Sequence, residues 1–212
     1  MAKTQIYLVR HGQSVGNLKH IFLGHENLDL TDLGRAQAER VCEYFKGVSV
    51  DKIYSSDLLR AYHTACPLAK EKGIEIIKND RLREVFAGEW EGMPYRELFQ
   101  KYPVTAALWW DDTGLACPDG GESVAELQER IYSEVLRLAR ENEGKTICLF
   151  THFTPIFAMK TALAGVPLSE MKHQERPKNA SVTHIEYENG NFSLIEYGVN
   201  DYLRELASEC NV

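Results

Sequence analysis

The sequence predicts an α/β protein: a three-layer α/β/α sandwich around a mostly parallel central sheet, with an antiparallel contribution near the C-terminus. Three observations carry that expectation. Short apolar runs at 4–10, 50–54, 74–77 and 146–150 alternate with helical patterns. The run Thr146-Ile147-Cys148-Leu149-Phe150 is apolar almost without a break, as suits a strand covered on both faces. Two further β-type runs, 180–187 and 191–197, flank Glu188-Asn189-Gly190 and read as a hairpin.

The elements follow in order. The strand at 4–10 ends abruptly in Arg10-His11-Gly12, and residues 11–30 are polar with little period, a functional loop or a disordered one. Thr31 is placed as the cap of a helix to about 46, with Leu33, Ala36, Val41, Tyr44 and Phe45 at helical spacing. A strand at 50–54 runs into Ser55-Ser56-Asp57 and then a helix, which Pro67 should bend or divide. After the strand at 74–77, residues 80–121 are less regular, with a short helix near Pro94, a Trp109-Trp110 stretch and the loop Cys117-Pro118-Asp119-Gly120-Gly121. The expectation is a single domain over 1–212, with an insertion or cap at about 86–121 lying over one edge of the sheet. Residues 123–140 give the clearest helix, and the strand at 146–150 leads through Thr151-His152 into a helical segment at 154–164.

Composition narrows the function. With 44% hydrophobic and 26% charged residues the chain has ordinary globular composition. Its net charge of -7 argues against a nucleic-acid or anionic-membrane surface, although a pocket's field is set by a few local cations. Five scattered cysteines without a CxxC pair suit reduced thiols rather than a disulfide framework or a zinc site. With no signal-peptide pattern and no run near the roughly 18 apolar residues of a membrane span, a cytoplasmic protein is expected.

The chemistry gathers at strand ends. Arg10-His11, the segment from Ser55 to Arg60, and Thr151-His152 all sit where strands finish, and α/β sheets collect such βα loops along one edge. Two histidines, two arginines, a candidate carboxylate and small polar groups at helix starts would then converge. Arginine holds phosphate through a planar fork of donors, and a neutral histidine can attack phosphorus. The leaving alkoxide needs a proton from a carboxylic acid within reach. Cations can neutralise the transferring oxygens, so no metal and no cofactor are expected.

These residues fall in blocks that resemble the histidine phosphatase superfamily, with its phosphoglycerate-mutase-like fold. The blocks are Tyr7-Leu8-Val9-Arg10-His11-Gly12-Gln13-Ser14 with Asn17, then Leu30-Thr31-Asp32-Leu33-Gly34-Arg35-Ala36-Gln37-Ala38, then Ser55-Ser56-Asp57-Leu58-Leu59-Arg60-Ala61 with Thr64-Ala65. Leu82-Arg83-Glu84 with Gly88-Glu89-Trp90-Glu91-Gly92, Gly120-Gly121-Glu122-Ser123 and Thr151-His152 complete the set in the family's order. The resemblance implies that His11 is the phosphorylated nucleophile, through its ring nitrogen distal to the main chain, and that Glu84 is general acid and then base. It implies that Arg10, Arg60 and a protonated His152 contact the phosphoryl group, and that Asn17, Leu23 and Gly24 line the same pocket. Two positions depart from the family pattern. Phe153 replaces the usual glycine and could narrow the pocket or alter the backbone's approach to phosphate. His63 replaces a frequent glutamine and either supports Arg60 or faces solvent.

The small phosphatase branch is the nearest likeness, so the expected activity is hydrolysis of a small phosphorylated metabolite by a monomer or homodimer. The alternatives are a phosphoglycerate mutase and a catalytically silent phosphate-binding regulator. The mutase branch typically carries a longer insertion with paired arginines, whereas 94–110 holds only Arg96 and Lys101 as cations. Retention of both nucleophile and acid argues against a silent protein. The other histidines are expected at the surface or in packing, with His25 the foremost exception. Trp90, Trp109 and Trp110 are expected as packing aromatics, Ser55, Ser56 and Ser123 as helix caps, and the charges of helix 123–142 as a solvated face.

Overall fold

The computed structural model describes residues 3–208. Among them, strands β1 (Thr4–Arg10), β2 (Lys52–Ser55), β3 (Ile76–Lys78), β4 (Thr146–Thr151), β5 (Val182–Glu188) and β6 (Asn191–Val199) form one sheet in the order β3-β2-β4-β1-β5-β6. β1, β2, β3 and β4 pair in parallel, while β5 runs antiparallel to β1 and β6 antiparallel to β5. The expected hairpin therefore continues the sheet beyond β1.

Strand side chains alternate between faces, and two separate cores result. Ile6 and Leu8 of β1 share one cluster with Ile147 and Leu149 of β4, whereas Val9 joins Cys148 and Phe150 in the other. The helices are α1 (Val15–Lys19), α2 (Asp32–Tyr44), α3 (Leu59–Lys72), α4 (Tyr95–Lys101), α5 (Pro103–Asp111), α6 (Val124–Glu141) and α7 (Phe153–Leu163). α2 and α3 cover the Val9 face with Val41, Ala65 and Leu68; α6 and α7 cover the Ile6 face with Leu127, Ile131, Ile156 and Phe157. The expected three layers are present.

Local chemistry sets the helix starts. Thr31 caps α2 by accepting from the Gly34 N–H at 3.0 Å, and Ser123 and Glu126 form a capping box at the start of α6. Residues 11–30 are ordered and not a featureless loop. Ser14 and Asn17 form a second capping box that holds the single turn and a half of α1. Pro67 neither divides nor ends α3, which runs unbroken from Leu59 to Lys72. Ala61, Ala65, Leu68 and Ala69 are buried along that helix, and their packing outweighs the one hydrogen bond that proline cannot donate.

The 86–121 segment packs into the α6/α7 core through Trp90, Leu98, Ala106 and Trp109. It thus lies on one face of the sheet as well as reaching its edge. The Trp109-Trp110 stretch is helical and splits its duties: Trp109 is buried and Trp110 is 46% exposed. The helix from Ser123 departs from expectation, because its charged residues are not simply solvated. Glu134 is 2% exposed, bonded to Asn79 at 2.5 Å and to Arg137 at 2.6 Å, and paired with Arg81. Burying that carboxylate is tolerable because each oxygen meets a donor or a cation.

The first turn of α2 is pressed onto the residues after His11. Thr31 N–H donates to the Gln13 carbonyl at 2.9 Å, and Gln13 N–H donates to the buried Gln37 side chain at 2.7 Å. A Cβ on Gly34 would stand 2.1 Å from the Gln13 carbonyl oxygen, closer than any side chain tolerates. Gly34→Ala is therefore expected to destabilise the fold by about 3 kcal/mol, the upper range for overpacking. Urea denaturation checks this, and an unchanged midpoint would show that the contact is not tight.

Candidate active site

β1, β2 and β4 are parallel, so their carboxyl ends meet at one edge. Arg10 ends β1 and His11 follows it; Arg60 stands in the first turn of α3, just beyond β2; His152 caps α7, just beyond β4. Glu84 arrives from the short 3-10 turn Asp80–Leu82 that follows β3. Arg10, His11, Arg60 and Glu84 line one pocket, together with Asn17, Leu23 and Gly24. His152 lies behind that wall, fully buried, with its ring centroid 5.2 Å from that of His11.

Backbone contacts fix each of these groups. His11 Nδ1 lies 2.7 Å from the Gly12 carbonyl, and a carbonyl can only accept, so Nδ1 carries the ring proton. Gly12 N–H donates to Thr64 Oγ1 at 3.0 Å. Arg10 donates from Nη1 to the Pro177 carbonyl at 2.6 Å and stacks 5.1 Å from the Phe153 ring centroid. Both Glu84 carboxylate oxygens accept from the Thr154 N–H, and Oε1 also accepts from the Val85 N–H.

The loop around Gly24 is fastened from two sides. Arg60 donates to the carbonyls of Gly24 and Glu26, both at 2.8 Å. The Glu91 carboxylate accepts three backbone N–H groups, from His25 at 2.8 Å, Glu26 at 2.7 Å and Ala87 at 2.9 Å. A Cβ on Gly24, whose φ is +48°, would stand 2.3 Å from Glu91 Oε1. Only glycine suits that position.

A model of the histidine phosphatase superfamily (branch 1) matches residues 6–200. The chain belongs to that superfamily. It is 31% identical over 207 residues to phosphoserine phosphatase 1 of Hydrogenobacter thermophilus, covering 98% of each chain. The adenosylcobalamin/alpha-ribazole phosphatase of Escherichia coli is 28% identical over 80% of this chain and 83% of its own. Among solved structures, Bacillus stearothermophilus YhfR matches with a TM-score of 0.91 at 29% identity, covering 95% of this chain and all of that one. A mycobacterial glucosyl-3-phosphoglycerate phosphatase in complex with VO3 matches with a TM-score of 0.84 at 28% identity, covering 92% and 99%. The phosphoglycerate-mutase-like fold and the phosphatase kinship expected from the motif blocks are both present.

The two departures from the family pattern find their places. Phe153 is 3% exposed and forms pocket wall, packed between the Arg10 guanidinium and Phe157. His63 does neither of the things expected of it. Its Nδ1 meets Asp29 Oδ1 at 2.7 Å, and Asp29 also takes Arg35 at 2.6 Å, so His63 ties the 26–30 segment to α3. His25 is an exception to the surface reading, with Nε2 3.0 Å from the Glu84 carbonyl. Neither Ser55 nor Ser56 caps α3 as expected, because its N-cap is Leu58 without a side-chain bond; Ser55 Oγ donates to the Ser56 carbonyl, and Ser56 Oγ lies 2.8 Å from His152 Nε2. Trp109 lines the pocket as well as packing.

Three contributors lie outside the expected site residues, and Glu91 alone among them falls in a motif block. Asn179, 1% exposed, donates to the His11 carbonyl at 3.2 Å and to Asn17 Oδ1 at 3.3 Å. It reaches the site because β5 is antiparallel to β1, which brings the start of β5 to the carboxyl end of β1. Arg130 of α6 donates to the carbonyls of Arg81, Arg83 and Glu84 while pairing with Glu122, and so clamps the segment that presents Glu84. Glu91 is the third. Among the described residues, no group of three or more His, Cys, Asp or Glu side chains could hold a metal ion, and no helix is long and apolar enough to cross a membrane. The free cysteines among them are Cys42, Cys66, Cys117 and Cys148; Cys210 lies outside the described residues.

Charge and burial set the protonation states. Burial, then Arg60 and Arg10, push the His11 ring well below the ordinary histidine value. Burial, then Arg60 and His11, do the same to His152, so this environment favours a neutral ring where the family resemblance implied a protonated one. Arg60 is itself lowered to about 10 by burial, with Glu84 and Glu91 opposing. Each histidine binds its proton more weakly in the folded chain than in the unfolded one. The stability this contributes is present in full above the unfolded value, roughly pH 6.5, and is lost as pH falls below it. The urea midpoint is expected to fall more steeply between pH 7 and 5 in the wild type than in His11→Asn; equal slopes would contradict the assignment.

Proposed function

We propose that the chain hydrolyses small phosphomonoesters in two displacements through a phosphohistidine on His11, with Glu84 as acid and then base. The observation that carries this reading is the His11 hydrogen bond to the Gly12 carbonyl at 2.7 Å. It puts the proton on Nδ1 and leaves the Nε2 lone pair, the atom distal to the main chain, as nucleophile. Burial and two neighbouring cations keep that ring neutral, as attack requires.

Arg10 and Arg60, which both line the pocket, receive the phosphoryl oxygens. In the first step Nε2 bonds to phosphorus, the ester oxygen departs, and a protonated Glu84 delivers its proton to that oxygen. In the second step the Glu84 carboxylate takes a proton from water as that water's oxygen bonds to phosphorus, and the His11–phosphorus bond breaks. Free phosphate and a protonated Glu84 result. No step calls on a metal.

His152 takes part without being charged beforehand. Ser56 Oγ accepts the Leu58 N–H at 3.3 Å, and we assign its own O–H as the donor to His152 Nε2, 2.8 Å away. That bond selects the tautomer with the proton on Nδ1, a buried atom with no protein partner, which then donates to a phosphoryl oxygen. Hydrolysis is favoured over mutase chemistry because Arg96 and Lys101 are exposed and outside the pocket. The cytosol and a monomeric or homodimeric state go with this reading.

His11→Ala is expected to abolish phosphate release from p-nitrophenyl phosphate. Glu84→Gln should lower kcat for alkyl phosphates by about 10²–10⁴. The same variant should release p-nitrophenol in a burst matching the enzyme, because that leaving group needs no proton while the second step still lacks its base. Absence of hydrolysis of any phosphomonoester by the wild type would overturn the phosphatase reading, and equal loss on both esters without a burst would overturn the role of Glu84.

A further inference from the structure

Beyond the phosphoryl-binding end, the pocket is walled by Ile21, Phe22, Leu23, Tyr95, Trp109 and Phe153. Its only lining cations are Arg10 and Arg60, and both sit at the phosphate end, already donating to the carbonyls of Pro177, Gly24 and Glu26. The only lining carboxylate is Glu84. Among the described residues nothing else in the lining carries charge, so the far end offers no cation to a second anion and only Glu84 to a cation.

The wall is braced rather than adaptable. The 20–24 segment pairs with the 92–95 segment: Phe22 N–H donates to the Met93 carbonyl, Gly92 N–H to the Phe22 carbonyl and Tyr95 N–H to the His20 carbonyl, each at 2.9 Å. Phe22 is locked edge-on against Trp109 at 5.0 Å and Trp90 at 5.3 Å between centroids. Such packing does not rearrange cheaply to admit a charged group. The cavity is small, about 50 Å³, which suits a short alcohol portion.

Resting on the phosphatase reading above, we propose that this site selects monoesters whose alcohol portion is compact, uncharged and apolar, aryl or short alkyl, and discriminates against those bearing a carboxylate or a second phosphate. A carboxylate carried there gives up water and meets the neutral polar groups of Asn17, Tyr95 and Thr154 but no cation to offset its charge. An apolar group gains by leaving water against the same surfaces. Ile21, Tyr95 and Trp109 are the specificity-determining residues. Phosphoserine and phosphoglycerates are poor substrates on this account, although relatives carry their names.

Two arms test it. In turnover, kcat/KM for n-butyl phosphate should exceed that for phosphoserine and 3-phosphoglycerate at least about tenfold, even though butanol is the poorer leaving group. In binding, calorimetry compares n-pentylphosphonate with 4-phosphonobutyrate, which have similar length and differ in the terminal carboxylate. The first should bind at least about tenfold more tightly, and Ile21→Lys should narrow that gap. Equal or tighter binding of 4-phosphonobutyrate would overturn the proposal whether or not the chain turns over esters. Loss of all hydrolysis with the binding preference intact would overturn the phosphatase reading alone.

Discussion

The buried Arg60 guanidinium is the interaction on which the rest of the site depends. It is 1% exposed, and a cation so placed must be repaid by fixed partners. Two backbone carbonyls of the 24–26 segment provide hydrogen bonds, and the carboxylates of Glu84, Glu91 and Glu26 provide charge. The same cation lowers both buried histidines. One side chain thus holds the pocket rim in place, adds to the burial that disfavours the charged form of two imidazoles, and faces the anion's end of the pocket. Glu91 acts with it, since three N–H groups on one carboxylate hold the loop in the shape that turns its carbonyls toward Arg60.

The fold supplies the convergence. Parallel pairing of β1, β2 and β4 brings Arg10, Ser55 and Thr151 to one edge. The antiparallel β5 adds a second kind of contribution: residues that precede a strand, Pro177 and Asn179, reach the same edge and bind the backbone and side chains that follow β1. The 86–121 segment closes the other side, and its aromatic residues join the sheet's own core, so the roof of the pocket is as rigid as the floor.

Much of this was legible in the sequence, for physical reasons that also mark the limits. Strand ends carrying Arg-His and Thr-His stand out because an apolar run stops at polar groups with a ligand's chemistry, and topology then forces them together. The apolar stripe of α6 was legible; what its charges bond to was not, because Glu134 and Arg130 look like any solvated helix charge until the turn at 80–84 lies against them. Pro67 was over-read, since proline weighs heavily in local propensity but costs one bond in a helix whose other face is packed. His63 meets Asp29, thirty-four residues earlier in the chain, a contact no local pattern encodes. The sequence shows His152 but not its complete burial beside Arg60, which pushes the ring's proton affinity down.

The account stands on a neutral His11 that attacks through Nε2. Rapid alkaline quenching of the chain during turnover of a phosphomonoester, followed by phosphorus-31 NMR and mass spectrometry of the His11 peptide, tests this most directly. A phosphoryl group on Nε2 of His11, accumulating in Glu84→Gln and absent from His11→Ala, is the predicted result. Hydrolysis that proceeds with no phosphohistidine in either the wild type or Glu84→Gln, or a phosphoryl group carried on another residue, would contradict it.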